Sequence, residues 1–231
     1  MHRSFLPALI FTVVFLFTGA RAVRAQDDER KWEAGGQFSA FNVSNGTTTI
    51  TGTTDEQRQT EPGFGGRVGY GFSRYVSAEA EVNLFPRGRG LTDADFSGGR
   101  KLQGLFGVKA GRRFEHFGLF AKARPGFVNF EEGDLEQTGS PCVAIFPPPL
   151  SCFESKGRTD FAFDVGGVVE LYPSARTIIR LDAGDTVLRA GAHRVPSTAH
   201  TLSGFTYPSA ATVNAETTHN FQTSVGFGFR F

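Results

Sequence analysis

The chain is poor in the features that helical membrane proteins and soluble enzymes depend on. Beyond its first two dozen residues no apolar run approaches the roughly 20 positions a membrane-spanning helix needs, so a bundle of such helices is excluded. Neither of its two cysteines, Cys142 and Cys152, belongs to a CxxC pair, and no second pair of ligands accompanies them, so no metal site is expected. It has no surplus of charge: 24 Lys and Arg face 23 Asp and Glu, which argues against a nucleic-acid partner. It also lacks a phosphate-cradling loop. Gly63-Phe64-Gly65-Gly66 has neither the G-x-G-x-x-G spacing nor a following helix, so its glycines read as strand residues and no cofactor is expected.

What it does have is phenylalanine and glycine, 25 and 29 of them in 231 residues. The first segment must be set apart before they can be read. His2 and Arg3 give a basic start, Phe5 to Ala20 is almost wholly apolar, and Val23-Arg24-Ala25 ends on small residues, the pattern of a signal peptide cleaved after Ala25. Residues 1–25 are thus read as a leader and 26–231 as one domain of an exported protein. Outside the cytoplasm thiols oxidise, so a Cys142 to Cys152 disulfide closing a small Pro-rich loop is expected, with two free thiols as the alternative.

Within 26–231, period-two alternation recurs eight times. Trp32, Ala34, Gly36, Phe38 and Ala40 oppose Glu33, Gly35, Gln37 and Ser39. The cleanest case sets Val76, Ala78, Ala80, Val82 and Leu84 against Ser77, Glu79, Glu81 and Asn83. Similar segments start near Phe64, Leu102, Leu119, Phe161, Thr177 and Phe221. Leu105 is an apolar exception on a polar face, and Pro125, which cannot donate a ladder hydrogen bond, predicts a bulge or a strand end. Connections alternate in length. Those after the second, fourth and sixth segments are tight; the others, about Ser44 to Thr60, Arg87 to Gly99, Glu131 to Gly157 and Asp185 to Glu216, are long and polar. Short turns on one rim and long loops on the other predict an eight-stranded antiparallel up-and-down transmembrane β-barrel.

Charge counting selects the face that meets lipid. The polar faces carry Glu33, Glu79, Glu81, Asp164, Glu170 and Asp182 with Arg67, Lys101, Lys109, Lys122, Arg124, Arg180 and Arg230, six acids against seven bases. An eight-stranded barrel is only just wide enough to be filled by side chains, and the phenylalanines are not all expected to fit. The aromatic faces therefore point outward, and the ions neutralise one another inside, because a lone ion in a dry lumen costs several kcal/mol.

The last residues, Val225-Gly226-Phe227-Gly228-Phe229-Arg230-Phe231, look like the C-terminal signal of outer-membrane barrels, alternating aromatics that end on Phe. With the eight alternating segments, the chain resembles the small OmpA/OmpX-like outer-membrane β-barrel domain family. The resemblance is one of pattern, spread over all strands. It implies a monomer in outer-membrane lipid, in the bacterial outer membrane, inserted by the barrel-assembly machinery through Phe227, Phe229 and Phe231. It lacks the periplasmic domain of full-length OmpA, so no cell-wall anchoring is expected.

Two chemical alternatives are present in the residues. His193, His200 and His219 lie in or near the fourth long loop, with Ser197, Ser203, Asp182 and Asp185 around them, so a nucleophile, base and orienting acid exist in number. Within 26–231 the His-x-Ser spacing of lipid A deacylases is absent, and loop polarity explains the cluster without catalysis. Glycines on the inward faces leave room for a narrow leak, yet a lumen filled by ionised side chains is not expected to conduct appreciably. The reading is therefore a non-enzymatic barrel presenting four long loops to an extracellular ligand or surface, ahead of a narrow porin-like channel and of a lipid-modifying enzyme.

Overall fold

A computed structural model of the protein describes residues 31–48, 54–86, 98–138, 150–200 and 204–231. The expected leader and Cys142 lie outside them. Eight strands close into one antiparallel barrel: β1 (Trp32–Thr48), β2 (Thr54–Gly71), β3 (Val76–Phe85), β4 (Lys101–Arg113), β5 (Phe117–Gln137), β6 (Phe153–Leu171), β7 (Thr177–Ala190) and β10 (Glu216–Arg230). Neighbours in sequence pair around the ring. The seam is made by β1 and β10, where Trp32 and Phe231 exchange backbone hydrogen bonds of 3.0 and 2.9 Å. Tight turns join β2 to β3 and β6 to β7. In each a serine hydroxyl accepts backbone N–H groups: Ser73 Oγ from Tyr75 and Val76, and Ser174 Oγ from Arg176 and Thr177.

The register fixes the tilt. From Ile179 the outward partners run through Phe227, Gly36, Gly66, Val82, Gly104, Phe127 and Phe161, and return to β7 at Arg189, ten residues higher. A shear of ten over eight strands requires a strong inclination of every strand, about 40°. Each residue then adds about 2.5 Å of height, and this ruler locates side chains in the membrane.

Outward side chains form the apolar band. Phe38, Phe106, Phe161, Val82 and Leu181 are 72, 60, 56, 54 and 46% exposed. At the lower rim, the one with tight turns, Trp32 packs edge-on to Tyr70 and Tyr70 to Phe72, while Phe114 stacks on Phe117. Amphipathic and aromatic rings at this level are the girdle of an outer-membrane barrel. Inward glycines make the narrow interior possible. A Cβ on Gly226 would stand 2.9 Å from the Arg67 guanidinium, and one on Gly107 would stand 2.2 Å from the Ala123 carbonyl oxygen.

The fold departs from the sequence expectations in three places. First, the long connections contain much more strand than loop: β1 and β2 pair up to Thr48 and Thr54, and β5 and β6 up to Gln137 and Phe153. Second, the fourth connection holds a separate hairpin, β8 (His193–His200) with β9 (Thr206–Val213). Third, β5 neither bulges nor ends at Pro125. There the bridges to β4 lapse between Leu105–Gly126 and Val108–Ala123 without a change of register, while Pro125 stays paired with Phe163 of β6. The register shift occurs higher, between Phe130 and Asp134.

Replacing Val82 or Val165 with Arg puts a cation in the outward band. Each substitution is expected to lower the stability of the folded barrel by about 2–4 kcal/mol if the site lies near mid-membrane. Urea unfolding in lipid vesicles measures this, and an unchanged midpoint would mean that the faces are reversed.

Candidate functional site

The inward faces of β3, β4, β5, β6 and β7 carry long ions that cross a lumen whose opposite wall is lined by Gly35, Gly65, Gly69, Gly226 and Gly228. Near the lower rim, Glu33 accepts from Arg230 at 3.0 Å and from Lys109 at 3.2 Å, and it also pairs with Arg113. Lys109 pairs in addition with Glu170, whose other oxygen accepts from the Tyr172 hydroxyl at 2.9 Å. Higher up, Arg180 clamps Glu79 through two nitrogens, at 2.6 and 3.0 Å, and holds Asp182 at 2.6 Å. Arg124 holds Glu81 at 2.5 Å and Asp164 at 2.8 Å. Lys122 bridges Asp164, at 2.9 Å, and Asp182. Forked guanidiniums suit this work because each satisfies two carboxylates in one plane.

The thirteen lumen residues picked out from the sequence all point inward, but they do not form one network. Arg67 reaches only the amide oxygen of Gln37, at 3.5 Å, and has no carboxylate within ion-pairing distance among the described residues. Lys101 stands apart at the upper end, where it is fully buried and its ammonium binds both oxygens of Glu61 at 2.7 Å. Sequence reasoning missed Glu61 and Arg113. Glu61 lies between the first long connection and the alternation read from Phe64, and Arg113 in a stretch read as a turn, and only strands longer than expected turn them inward.

Above the ions lies a neutral layer. Gln37 donates to Asn83 at 2.8 Å, Asn83 to Gln103 at 2.8 Å, and Gln103 and Gln222 exchange amide bonds of 2.8 and 3.0 Å. The Thr186 hydroxyl joins Gln222 at 3.0 Å. Phe41, Val43, Phe85, Leu105, Val128, Phe130, Ala162 and Leu188 then pack into one buried apolar cluster. Leu105, the apolar exception of the fourth segment, is part of this cap. The lumen is thus filled by ions, then amides, then hydrocarbon, with the Lys101–Glu61 pair sealed beside the hydrocarbon.

Beyond the cap the strands continue above the apolar band. The β8–β9 hairpin springs from between β7 and β10 and rests on β5 and β1; the Arg194 N–H donates to Asp134 Oδ1 of β5 at 2.8 Å. Leu135, Cys152, Val195 and Ser209 are buried there. Arg100 donates twice to Glu131, at 2.7 and 2.5 Å, and these hydrogen bonds hold the Glu131 carboxyl below its ordinary range. Burial pushes the His193 imidazole down. His219 and Asp185, expected in a loop, are strand residues of β10 and β7 and form a pair, with His219 Nδ1 and Asp185 Oδ2 2.6 Å apart. His200 and Ser203 lie where the side chain or the backbone falls outside the described residues.

Glu79→Gln would remove a carboxylate shared by Arg180 and Arg124 and leave buried positive charge under-compensated. The expected loss is about 3 kcal/mol of folding stability, read as a lowered urea midpoint in vesicles. Glu131→Gln, which breaks an exposed pair, is expected to leave that midpoint unchanged.

A family model described as the outer membrane protein beta-barrel domain matches residues 10–231. A comparison with curated protein sequences finds no match. Among solved structures, the chain is similar to Neisserial surface protein A, at 10% identity with a TM-score of 0.46 over 87% of this chain and 97% of that one. It is similar to Ail, the attachment invasion locus protein of Yersinia pestis, at 14% identity with a TM-score of 0.43 over 88% and 99%. It is similar also to the outer membrane protease OmpT of Escherichia coli, at 8% identity with a TM-score of 0.38 over 91% and 100%. These likenesses concern the fold alone. With a closed eight-stranded barrel, an aromatic outer face, an ion-filled lumen and a family match over nearly the whole chain, the protein belongs to the outer membrane protein β-barrel domain family and resides in the bacterial outer membrane.

Proposed function

We propose that the protein is a non-enzymatic scaffold, anchored in the outer membrane as a monomer, that holds its upper hairpins in place for contact with an extracellular ligand or surface. The observation that carries this reading is the division of the molecule at the apolar cap. Below it every layer of the lumen is occupied; above it β1–β2, β5–β6 and β8–β9 extend as ordered hairpins. Ordering exposed backbone costs about 1–2 kcal/mol per residue, a cost that a bare membrane anchor has no reason to bear. The Cys142–Cys152 bridge, as we read it, ties the end of the β5–β6 hairpin, and it contributes at most about 3 kcal/mol.

The two other readings have less support. A channel would need a path past Phe41, Phe85, Leu105 and Val128, which are 0 to 2% exposed. An enzyme of the Ser-His-Asp kind would need a hydroxyl on His219, and among the described residues its imidazole is hydrogen-bonded to Asp185 and to no Ser or Thr. Assembly, in this reading, uses the outward row Phe227, Phe229 and Phe231, two of whose rings meet edge-on at 5.0 Å beside the seam.

In a planar bilayer the purified barrel is expected to give no steady large conductance steps; regular steps would favour the channel. Protease shaving of intact cells is expected to cut in the upper hairpins and leave the barrel whole, and full resistance would count against surface exposure. Deleting Phe231 is expected to slow insertion, read as a smaller fraction of heat-modifiable folded protein in the outer membrane.

A further inference from the structure

The outward face is apolar between its two rims at every described position but a few threonines and one charged residue, Asp185. Its register partners on that face are Phe221 of β10 and Val165 of β6, both exposed to lipid, and its neighbours along the strand are Ala183 and Val187. The upper polar rim is marked by Asn42, Thr60, Arg100, Asn129, Thr159, Arg189 and His219. Asp185 lies four residues below Arg189 on β7, so about 10 Å beneath that rim. An ionisable group at such a depth is expensive and needs a partner. Its partner is His219, which reaches down from the rim to 2.6 Å.

The imidazole so braced has cations on both sides. Arg58 of β2 extends across β1, and its Nη1 donates to the His219 carbonyl oxygen at 3.2 Å. On the other side Arg189 of β7 is exposed and makes no ion pair among the described residues. The sector of barrel formed by β2, β1, β10 and β7 therefore carries two guanidiniums and an imidazole in a row, at the height where lipid headgroups begin. Beneath them the exposed Phe38, Phe64, Val225 and Phe227 surround a depression at Gly36, lined also by Gly65 and Gly226, of about 600 Å³. Elsewhere on the upper rim Arg100 pairs with Glu131 and Lys156 with Glu136.

We propose that Arg58, His219 and Arg189 form a binding site for the phosphate of an outer-leaflet lipid headgroup, with Asp185 bracing the imidazole from below and the Gly36 depression taking an acyl chain. Two arginines give the site its charge, and the imidazole between them gives a directed donor. The membrane-facing position selects a lipid over a soluble phosphate, since hydrocarbon can be buried only from the bilayer side.

The test uses the full folded barrel in detergent, titrated with phosphatidic acid and with a diacylglycerol of the same chains, the lipid-bound fraction being read by native mass spectrometry. Phosphatidic acid is expected to bind and the diacylglycerol to bind far less. Arg58→Gln with Arg189→Gln is expected to weaken phosphatidic acid roughly thirtyfold, the combined effect of two basic side chains at a charged lipid surface. Asp185→Asn is expected to weaken it as well, and Arg112→Gln at the lower rim to leave it unchanged. If the double variant does not show the heat-modifiable migration of a folded barrel, Arg189→Gln alone is expected to cost about fivefold. Equal binding by the arginine variants, an equal loss in Arg112→Gln, equal retention of the diacylglycerol, or displacement by millimolar inorganic phosphate would each overturn the proposal.

Discussion

The structure depends on the pairing of buried ions inside a narrow cylinder. An ion transferred there unpaired costs several kcal/mol, whereas a guanidinium held by two carboxylates recovers most of that cost only if geometry is tight. This constraint explains why Arg124, Arg180, Lys101 and Lys109 are among the largest fully buried side chains, and why each faces an acid from a different strand. Glu79 on β3 meets Arg180 on β7, and Glu33 on β1 meets Lys109 on β4. Such pairs join strands that share no backbone hydrogen bonds, so the lumen acts as a cross-brace for a ladder that otherwise ties only neighbours. The glycines on the opposite wall are the other half of the same design, because they leave the width the crossing side chains need.

The cap divides the work. Ions fill the lower lumen, where strands pass through the membrane and long side chains from one wall reach toward the glycines of the other. Toward the end that carries the long hairpins Phe41, Phe85, Val128 and Phe130 replace them, and the interior becomes that of an ordinary soluble protein. Lys101 and Glu61 mark the transition: both are fully buried, and the Lys101 ammonium sits 5.6 Å from the Phe130 ring. The hairpins above are thus founded on a hydrophobic core of their own, and the barrel supplies their alignment.

Much of this was legible in the sequence, for a definite reason. Where one face meets lipid and the other meets ions, a period of two is enforced at nearly every residue, and segments such as Val76 to Leu84 carry their orientation openly. The eight strands, the face toward lipid and the thirteen inward residues followed from that. The pairing did not follow, because alternation says which wall a side chain is on and nothing about height. Height comes from the shear, so whether Arg67 meets a carboxylate or only Gln37 could not be read from composition. Pro125 misled in a related way: one missing donor suspends the bridges on the β4 side, but the β6 ladder, and the β4 bridges that resume at Gly126, carry the strand onward.

The strand ends were misplaced by one physical cause, and it bears on where function should be sought. Above the membrane, outward side chains face water and turn polar, so the alternation that marks a strand fades while the backbone ladder continues. What looks in the sequence like the end of a strand is the end of the hydrocarbon. Asn42, Thr60, Asn129 and Thr159 stand at that level, and β1, β2, β5 and β6 all run past it. Asp185 breaks the rule in the opposite direction. Its polarity made it look like the first residue of a loop, yet the ladder places it between Phe221 and Val165, below the boundary that its neighbours respect. A polar residue that agrees with the membrane boundary needs no explanation beyond solvent. One that stands beneath it, paired with a histidine at the boundary itself, is held there against the cost of its surroundings.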